Sequence, residues 1–284
     1  MNAEREVGVE LGVPVSPSIL VRGAGEMASA VACRLYMANL RRICMLDLDQ
    51  PLCVRRRVSF CTALESGAAV VEGVRAVAAR DWGEIEAAWE TQSIAVVSTT
   101  DWAQIDSPVP DVLIDAILAK CNLGTRKDEA PLVIGLGPGF TASKDCHVVI
   151  ETNRGHDLGR IIASGSAEPN TGMPGDISGH TDERVLRAPA AGVFESKRAI
   201  GDSVRRNDVI GHVAGQPVTA RLDGMLRGLI RPGTAVTAGL KLGDIDPRGK
   251  LEYCHTISDK ARAIAGAVLE GVMRSCNLPG SMKC

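Results

Sequence analysis

The sequence predicts an α/β protein, with a Rossmann-like, mainly parallel sheet domain followed by a small all-β domain. Three observations carry that reading. Near the N-terminal end a short apolar strand runs into a glycine turn and an amphipathic helical pattern. Strand-length apolar runs then follow one another with a helical segment between them, as in parallel sheets. Beyond residue 182 the chain repeats itself at an offset of 32 residues, aligning Gly192 with Gly224. These divisions give an N-terminal tail (1–16), a first domain (17–182), a duplicated second domain (183–248) and a C-terminal segment (249–284) whose helix packs back on the first domain.

The first element is Ser18–Arg22 (SILVR), which enters Gly23-Ala24-Gly25 and then a helix with Ala28, Val31, Ala32 and Leu35 on one face. Gly23 suits the tight turn, Gly25 allows close backbone approach, and Ala28 takes the third small position that lets the helix pack on its strand. About twenty residues on, the strand Ile43–Leu46 ends at Asp47, placed to accept ribose hydroxyls. Glu26 opposes a dinucleotide, because a carboxylate at the helix start repels pyrophosphate and itself satisfies the helix dipole. Arg55, Arg56 and Arg57 follow in QPLCVRRRVSF, either as phosphate ligands or as solvated loop residues. Further strands are expected at Ala69–Glu72, Ile94–Val97, Val112–Asp115 and Leu132–Leu136, with a helix near Trp82–Trp89.

The run from Pro110 to Gly172 is denser in glycine and polar residues than a core needs, and it frames the expected site. Its strands Val112–Asp115, Leu132–Leu136 and His147–Glu151 end in residues that catch ligands at the edges of open α/β sheets. Gly135, Gly137 and Gly139 precede a strand rather than a helix, so they are read as a backbone nest for a flat ligand or as a tight hairpin turn. Lys120, Thr141, Asn153 and Arg154 are expected to converge on the same edge. Cys146, His147, Glu151 and His156 are metal-ligand types, yet His147 and Glu151 lie about 13 Å apart along an extended strand, so no metal site is assigned. The candidate ligand contacts are therefore Gly23, Gly25, Glu26, Asp47, Lys120, Gly135, Gly137, Gly139, Asn153 and Arg154.

In the second domain Val185–Val213 and Pro217–Ile245 align without a gap, matching Ala188 with Ala220, Gly201 with Gly233 and Val204 with Val236. Each half reads as strand, glycine turn, strand, then Gly-x-x-Val, and resembles half of a biotinyl/lipoyl barrel-sandwich hybrid. The hairpin between the halves, Ala214-Gly215-Gln216-Pro217, has no lysine, so no covalent biotin or lipoate is expected. After it, Thr256 and Asp259 begin a helix with Ala261, Ile264, Ala265, Val268, Leu269 and Val272 on one face. That stripe suits core packing, and less well the seam of a homo-oligomer.

Composition narrows the function class. The 284 residues are 45 % apolar, and 32 basic residues against 34 acidic ones give a net charge of −2, so neither nucleic acid nor an anionic membrane is an expected partner. MNAEREVGVE lacks the form of a secretory signal, and a cytoplasmic location is expected. Nine cysteines without a CxxC pair read as reduced thiols rather than a disulfide framework.

Across VRGAGEMAS, QPLCVRRRVSF, DAILAKCNLGT, PLVIGLGPGFTA, DCHVVIETNRGH, GSAEPNTG, VLRAPAAGVF, GLKLGDIDPR and TISDKA, the chain resembles the selenium-dependent molybdenum hydroxylase accessory proteins of the YqeB type. Where that family has a triple glycine followed by Asp-Leu-Ala, this chain has Gly23-Ala24-Gly25-Glu26-Met27-Ala28. The resemblance implies a Rossmann-like domain related to that of XdhC-type maturation factors. It also implies a role in maturing molybdenum hydroxylases, with a hydroxylase subunit as partner and molybdenum cofactor or a nucleotide held between Gly23 and the Gly135–Gly139 loop. Cys121 or Cys146 would relay sulfur or selenium under that reading. Two other classes stay open, an NAD(P)-dependent oxidoreductase and a non-catalytic chaperone of a hydroxylase subunit.

Overall fold

Strand residues are apolar at almost every position, which suits a sheet covered on both faces. The computed structural model describes residues 17–99 and 102–276; the tail 1–16 and the last eight residues lie outside them. A nine-stranded sheet is built from β1 (Ile19–Arg22), β2 (Ile43–Asp47), β3 (Ala68–Val71), β4 (Val74–Ala79), β5 (Ile94–Ser98), β6 (Val112–Asp115), β7 (Leu132–Leu136), β9 (Val148–Ile150) and β10 (Ile161–Ile162). Its order is β10-β9-β7-β6-β1-β2-β5-β4-β3. The seven inner strands are parallel, whereas β3 on β4 and β10 on β9 are antiparallel. Two short strands, β8 (Thr141–Ala142) and β11 (Gly165–Ser166), form a separate antiparallel pair.

The two-residue period of a strand sorts the core. Ile19, Val21, Ile43, Met45, Ile94, Val96, Ile114 and Ile134 face one side, where they meet helices α1 (Glu26–Met37) and α4 (Asp259–Cys276). Leu20, Cys44, Leu46, Ala95, Val97, Leu113 and Val133 face the other, covered by α3 (Trp82–Glu90). A single turn of helix, α2 (Ala63–Ser66), precedes β3. Helix α4 turns Ala261, Ile264, Ala265, Val268 and Val272 into the first of these cores, alongside Ala28, Val31 and Leu35 of α1. None of the described helices is long and apolar enough to cross a membrane.

Residues 185–246 form β12 (Val185–Arg187), β13 (Gly192–Glu195), β14 (Ser203–Val204), β15 (Val209–Val213), β16 (Gln216–Thr219), β17 (Gly224–Leu229), β18 (Ala235–Val236) and β19 (Lys241–Asp246). They make two four-stranded antiparallel sheets, β12-β19-β17-β14 and β16-β15-β13-β18. Shifting the first by four strands gives the second, so each repeat supplies two strands to each sheet. Phe194, Ile210, Val213, Leu226, Leu229 and Ile245 fill the space between them.

The fold expectation is corrected here. A Rossmann-like, mainly parallel domain joined to one small barrel-sandwich hybrid is replaced by a nine-stranded mixed sheet and several antiparallel sheets. The physical reason lies at the edges. Glu72-Gly73 closes a tight β3–β4 hairpin through positive φ at both residues, and β10 returns beside β9 without a helical crossover.

Candidate functional site

Where β6, β7 and β9 end, the chain leaves the sheet and opens a cavity of about 540 Å³. Its floor comes from Leu118, Lys120, Leu136 and Thr152–Arg154, and the first turns of α1 (Glu26, Met27) and α4 (Ser258–Lys260) close one side. Residues from Glu168 to Ile177 cross the opening, and Arg184, Arg227, Lys241 and Asp244 bring in the antiparallel sheet β12-β19-β17-β14.

Several carboxylates are structural fixings. Glu151 is buried; its Oε1 accepts from the Asn153 backbone N–H at 2.6 Å and its Oε2 from that of Glu168 at 2.7 Å. It thereby joins the floor to the crossing segment. Asp244, also buried, accepts from Arg184 Nη1 at 2.9 Å and Arg227 Nε at 2.8 Å. Burial alone would raise the Asp244 carboxyl, but Lys241, Arg227 and Arg184 together hold it below its usual range. Arg154 donates to both oxygens of Asp259, at 2.8 and 2.9 Å, and this bidentate guanidinium holds Asp259 well below the ordinary carboxylate range.

The lysines are different. The side-chain amines of Lys120 and Lys260 make no hydrogen bond and no salt bridge among the described residues, and Lys241 Nζ has only Asp244 Oδ1, at 3.9 Å. Six cationic side chains (Lys120, Arg154, Arg184, Arg227, Lys241, Lys260) line the cavity against four carboxylates (Glu26, Glu168, Asp244, Asp259), so the lining is net positive. The arginines are bound to carboxylates, which leaves the ammonium groups as the available cations.

Of the residues expected from sequence, Glu26, Lys120, Asn153 and Arg154 come together in this cavity. Glu26 does not face it freely, since Oε1 accepts from Arg55 Nη1 at 3.1 Å and Ser258 Oγ at 3.0 Å. Asn153 donates through Nδ2 to Glu168. Gly23, Gly25, Asp47, Gly135, Gly137 and Gly139 stand outside the lining. Gly23 packs its turn on Ala116 and Ile117, and Asp47 accepts the N–H groups of Ala24 and Leu48 at 2.7 and 2.8 Å, fixing that turn instead of reaching a ribose.

In the glycine loop the protein itself lies against the three glycines, while Leu136 and Pro138 between them line the cavity. A Cβ on Gly135 would lie 2.6 Å from the Phe140 ring, on Gly137 2.4 Å from Thr152 Oγ1, and on Gly139 2.6 Å from Cys121 Cα. What approaches these glycines is the protein itself. Neither Cys121, which is exposed, nor Cys146, which is buried with its thiol pushed up to about 11, lines the cavity. His147 Nδ1 accepts the Val133 N–H at 2.9 Å, a strand-pairing role. Among the described residues no group of three or more His, Cys, Asp or Glu is placed to hold a metal.

Of the three loop arginines, Arg57 is exposed, with Nη1 2.7 Å from His255 Nε2, whereas Arg55 and Arg56 are held by the protein. Arg55 is only 4 % exposed and donates to Glu26 and to the Tyr253 and Thr256 carbonyls. Arg56 Nε donates to the Leu229 carbonyl at 2.9 Å, so the loop braces the large sheet, the antiparallel unit and the start of α4 together. Reading the sequence missed Lys241, Lys260, Ser258, Glu168, Arg184 and Arg227. Five of these six come from beyond residue 182, and only folding brings them to the sheet edge. The one visible signal was Lys260, a lysine in the opening turn of a helix.

No family model matches the chain. Over 255 residues, 90 % of this chain, it is 50 % identical to the "Uncharacterized protein YqeB" of Escherichia coli strain K12. The chain spans about half of that relative's length, 47 %. The match supports a YqeB-type relationship for this stretch. Solved structures give low similarity: an aspartoacylase family protein from Mesorhizobium loti has a TM-score of 0.26 at 14 % identity over 81 % of this chain and 85 % of that one. The product-bound ectoine utilization protein EutE from Ruegeria pomeroyi scores 0.22 at 12 % identity over 80 % and 56 %. A succinylglutamate desuccinylase/aspartoacylase from Rhodobacter sphaeroides scores 0.22 at 22 % identity over 30 % and 29 %. Similarity of this degree carries no argument about activity.

Proposed function

We propose that this chain is an accessory factor in the maturation of selenium-dependent molybdenum hydroxylases, holding the molybdenum cofactor or a nucleotide-like anion in the 540 Å³ cavity. The observation that supports this most is the set of three lysines around one opening, Lys120 and Lys260 with no ion pair among the described residues and Lys241 with only Asp244, at 3.9 Å. Lys260 is partly buried while Lys120 and Lys241 stand exposed at the same opening, so an anion entering between them meets positive charge from three sides.

The residues fit such a group. Phosphate suits the lysines, and Thr152, Asn153, Glu168 and Asn170 offer donors and acceptors to the polar edge of a pterin. The volume lies within the range of cofactor pockets, which runs from about 300 to 1,000 Å³. A bound molybdenum cofactor would supply the metal chemistry; the protein's part is to hold it, orient its flat face and limit its exposure to water. The hydroxylase subunit is the proposed partner, and the cytoplasm the proposed location.

Titration of the purified protein with molybdenum cofactor, cytidine nucleotides and NAD(H) tests the reading. Cofactor or cytidine nucleotide should bind, and NAD(H) should not, because Glu26 occupies the head of α1. Binding of NAD(H) alone, with hydride transfer, would reject the accessory role in favour of an oxidoreductase.

A further inference from the structure

Lys260 differs from the other cavity lysines in its surroundings. It is the second residue of the 18-residue helix α4, where the macrodipole presents positive charge and disfavours an ammonium. It is partly buried, whereas Lys120 and Lys241 are exposed. No hydrogen bond or salt bridge holds its amine among the described residues, although its own backbone N–H donates to Asp259 Oδ1 at 2.8 Å.

The charged groups around it come from several elements. Arg154 and Glu151 approach from the end of β9, Lys241 from β19, Glu26 from α1, and Asp259 precedes it on α4. Both neighbouring acids of α1 and α4 are engaged, Glu26 by Arg55 and Ser258, and Asp259 by Arg154. Glu151 is engaged by two backbone N–H groups. Burial, with Arg154 and Lys241 adding to it against the pull of Glu26 and Glu151, pushes the Lys260 amine below the usual lysine range. An amine that faces a cavity without a hydrogen bond of its own, and that gives up its proton more readily than an ordinary lysine, is placed to act as a nucleophile.

We propose that Lys260 is a nucleophilic amine that captures an aldehyde or ketone carrying an anionic group, with Lys120 and Lys241 holding the anion. In the step the amine lone pair attacks the carbonyl carbon and the carbonyl π electrons move to oxygen. Both amine hydrogens then leave with that oxygen as water, and a C=N bond replaces C=O. Amine and carbonyl give imine and water, so no oxidant or reductant takes part. This activity goes beyond cofactor binding and does not depend on the identity of the cofactor.

Pyridoxal 5′-phosphate, an aldehyde with a phosphate, is the probe, followed by borohydride reduction and peptide mapping of the full chain. Reduced at about pH 8, a substoichiometric dose should label Lys260 about tenfold or more over any other lysine. Labelling should level off below the ordinary lysine titration range. Lys260→Arg should retain phosphate protection of Lys120 and Lys241 yet lose the adduct, and Lys260→Ala should lose it as well. Label spread over lysines according to exposure would overturn the inference. So would a folded Lys260→Arg protein trapped as fast as the parent. Cofactor titration with the same variants reads the accessory role separately, since it needs a cation and not a nucleophile at this position.

Discussion

The glycine loop at Gly135–Gly139 and the lysine rim of Lys120, Lys241 and Lys260 flank the same end of the sheet, yet they are built on opposite terms. The loop is filled by its own protein, with Phe140, Thr152 and Cys121 where a ligand was expected. The rim holds Lys120 and Lys260 with no ion pair among the described residues, and Lys241 with only Asp244 at 3.9 Å. A glycine therefore reports that something comes close, but not what, while an unpaired cation reports a charge still to be matched.

The sharpest way to break this contrast is to fill the loop. Gly139→Val adds a branched side chain at φ +109, where even a Cβ meets the Cys121 backbone. It should cost about 3 kcal/mol or more in urea unfolding, from backbone strain and overpacking combined. A variant of unchanged stability that loses anion binding would return the loop to the ligand. Next in size, Lys241→Ala and Lys120→Ala should each weaken an anionic ligand by about 1–3 kcal/mol in calorimetry, with stability nearly unchanged for Lys120→Ala. Equal affinities would move the site away from the rim.

Smaller still is Gly25→Ala. An added Cβ there meets nothing within 4 Å, φ is −74°, and the residue is outside the cavity lining. Stability should shift by only about 0.5 kcal/mol, as at a helix N-cap, and anion affinity should hold. Loss of affinity would show that the β1–α1 turn does meet ligand.

The last effect is one of pH. Burial first, then Lys127, depresses the pKa of His147, whose Nδ1 must stay unprotonated to accept from Val133. The folded state then binds fewer protons than the unfolded one. The stabilisation is full above the unfolded histidine pKa and is lost as pH falls through that value toward the depressed folded one. His147→Gln should flatten this part of the stability profile measured by denaturant unfolding; an unchanged profile would place the titration elsewhere.

Much of the strand pattern was legible because burial on both faces leaves continuous apolar runs, as at Ile19–Val21 and Ile43–Leu46. The antiparallel edges were not, since pairing direction is set by turn geometry, and Glu72 with positive φ is not a residue type that announces such a turn. In the site, Lys120, Asn153 and Arg154 were legible from strand ends. Arg154 was misjudged in role because Asp259, its partner, is 105 residues away. Lys241 and Lys260 belong to segments whose approach to the sheet depends on the Arg55 brace, a tertiary event with no local pattern.

The exchange of strands between the two repeats has a consequence for how residues 185–246 come apart. Each sheet holds β12 and β14 with β17 and β19, or β13 and β15 with β16 and β18, so neither repeat owns a sheet. Cutting the chain at the exposed Ala214-Gly215 turn would not free two half-units. The fragments would stay interlocked as a two-piece complex, losing chiefly the advantage of being tethered, and they would separate only by unfolding together.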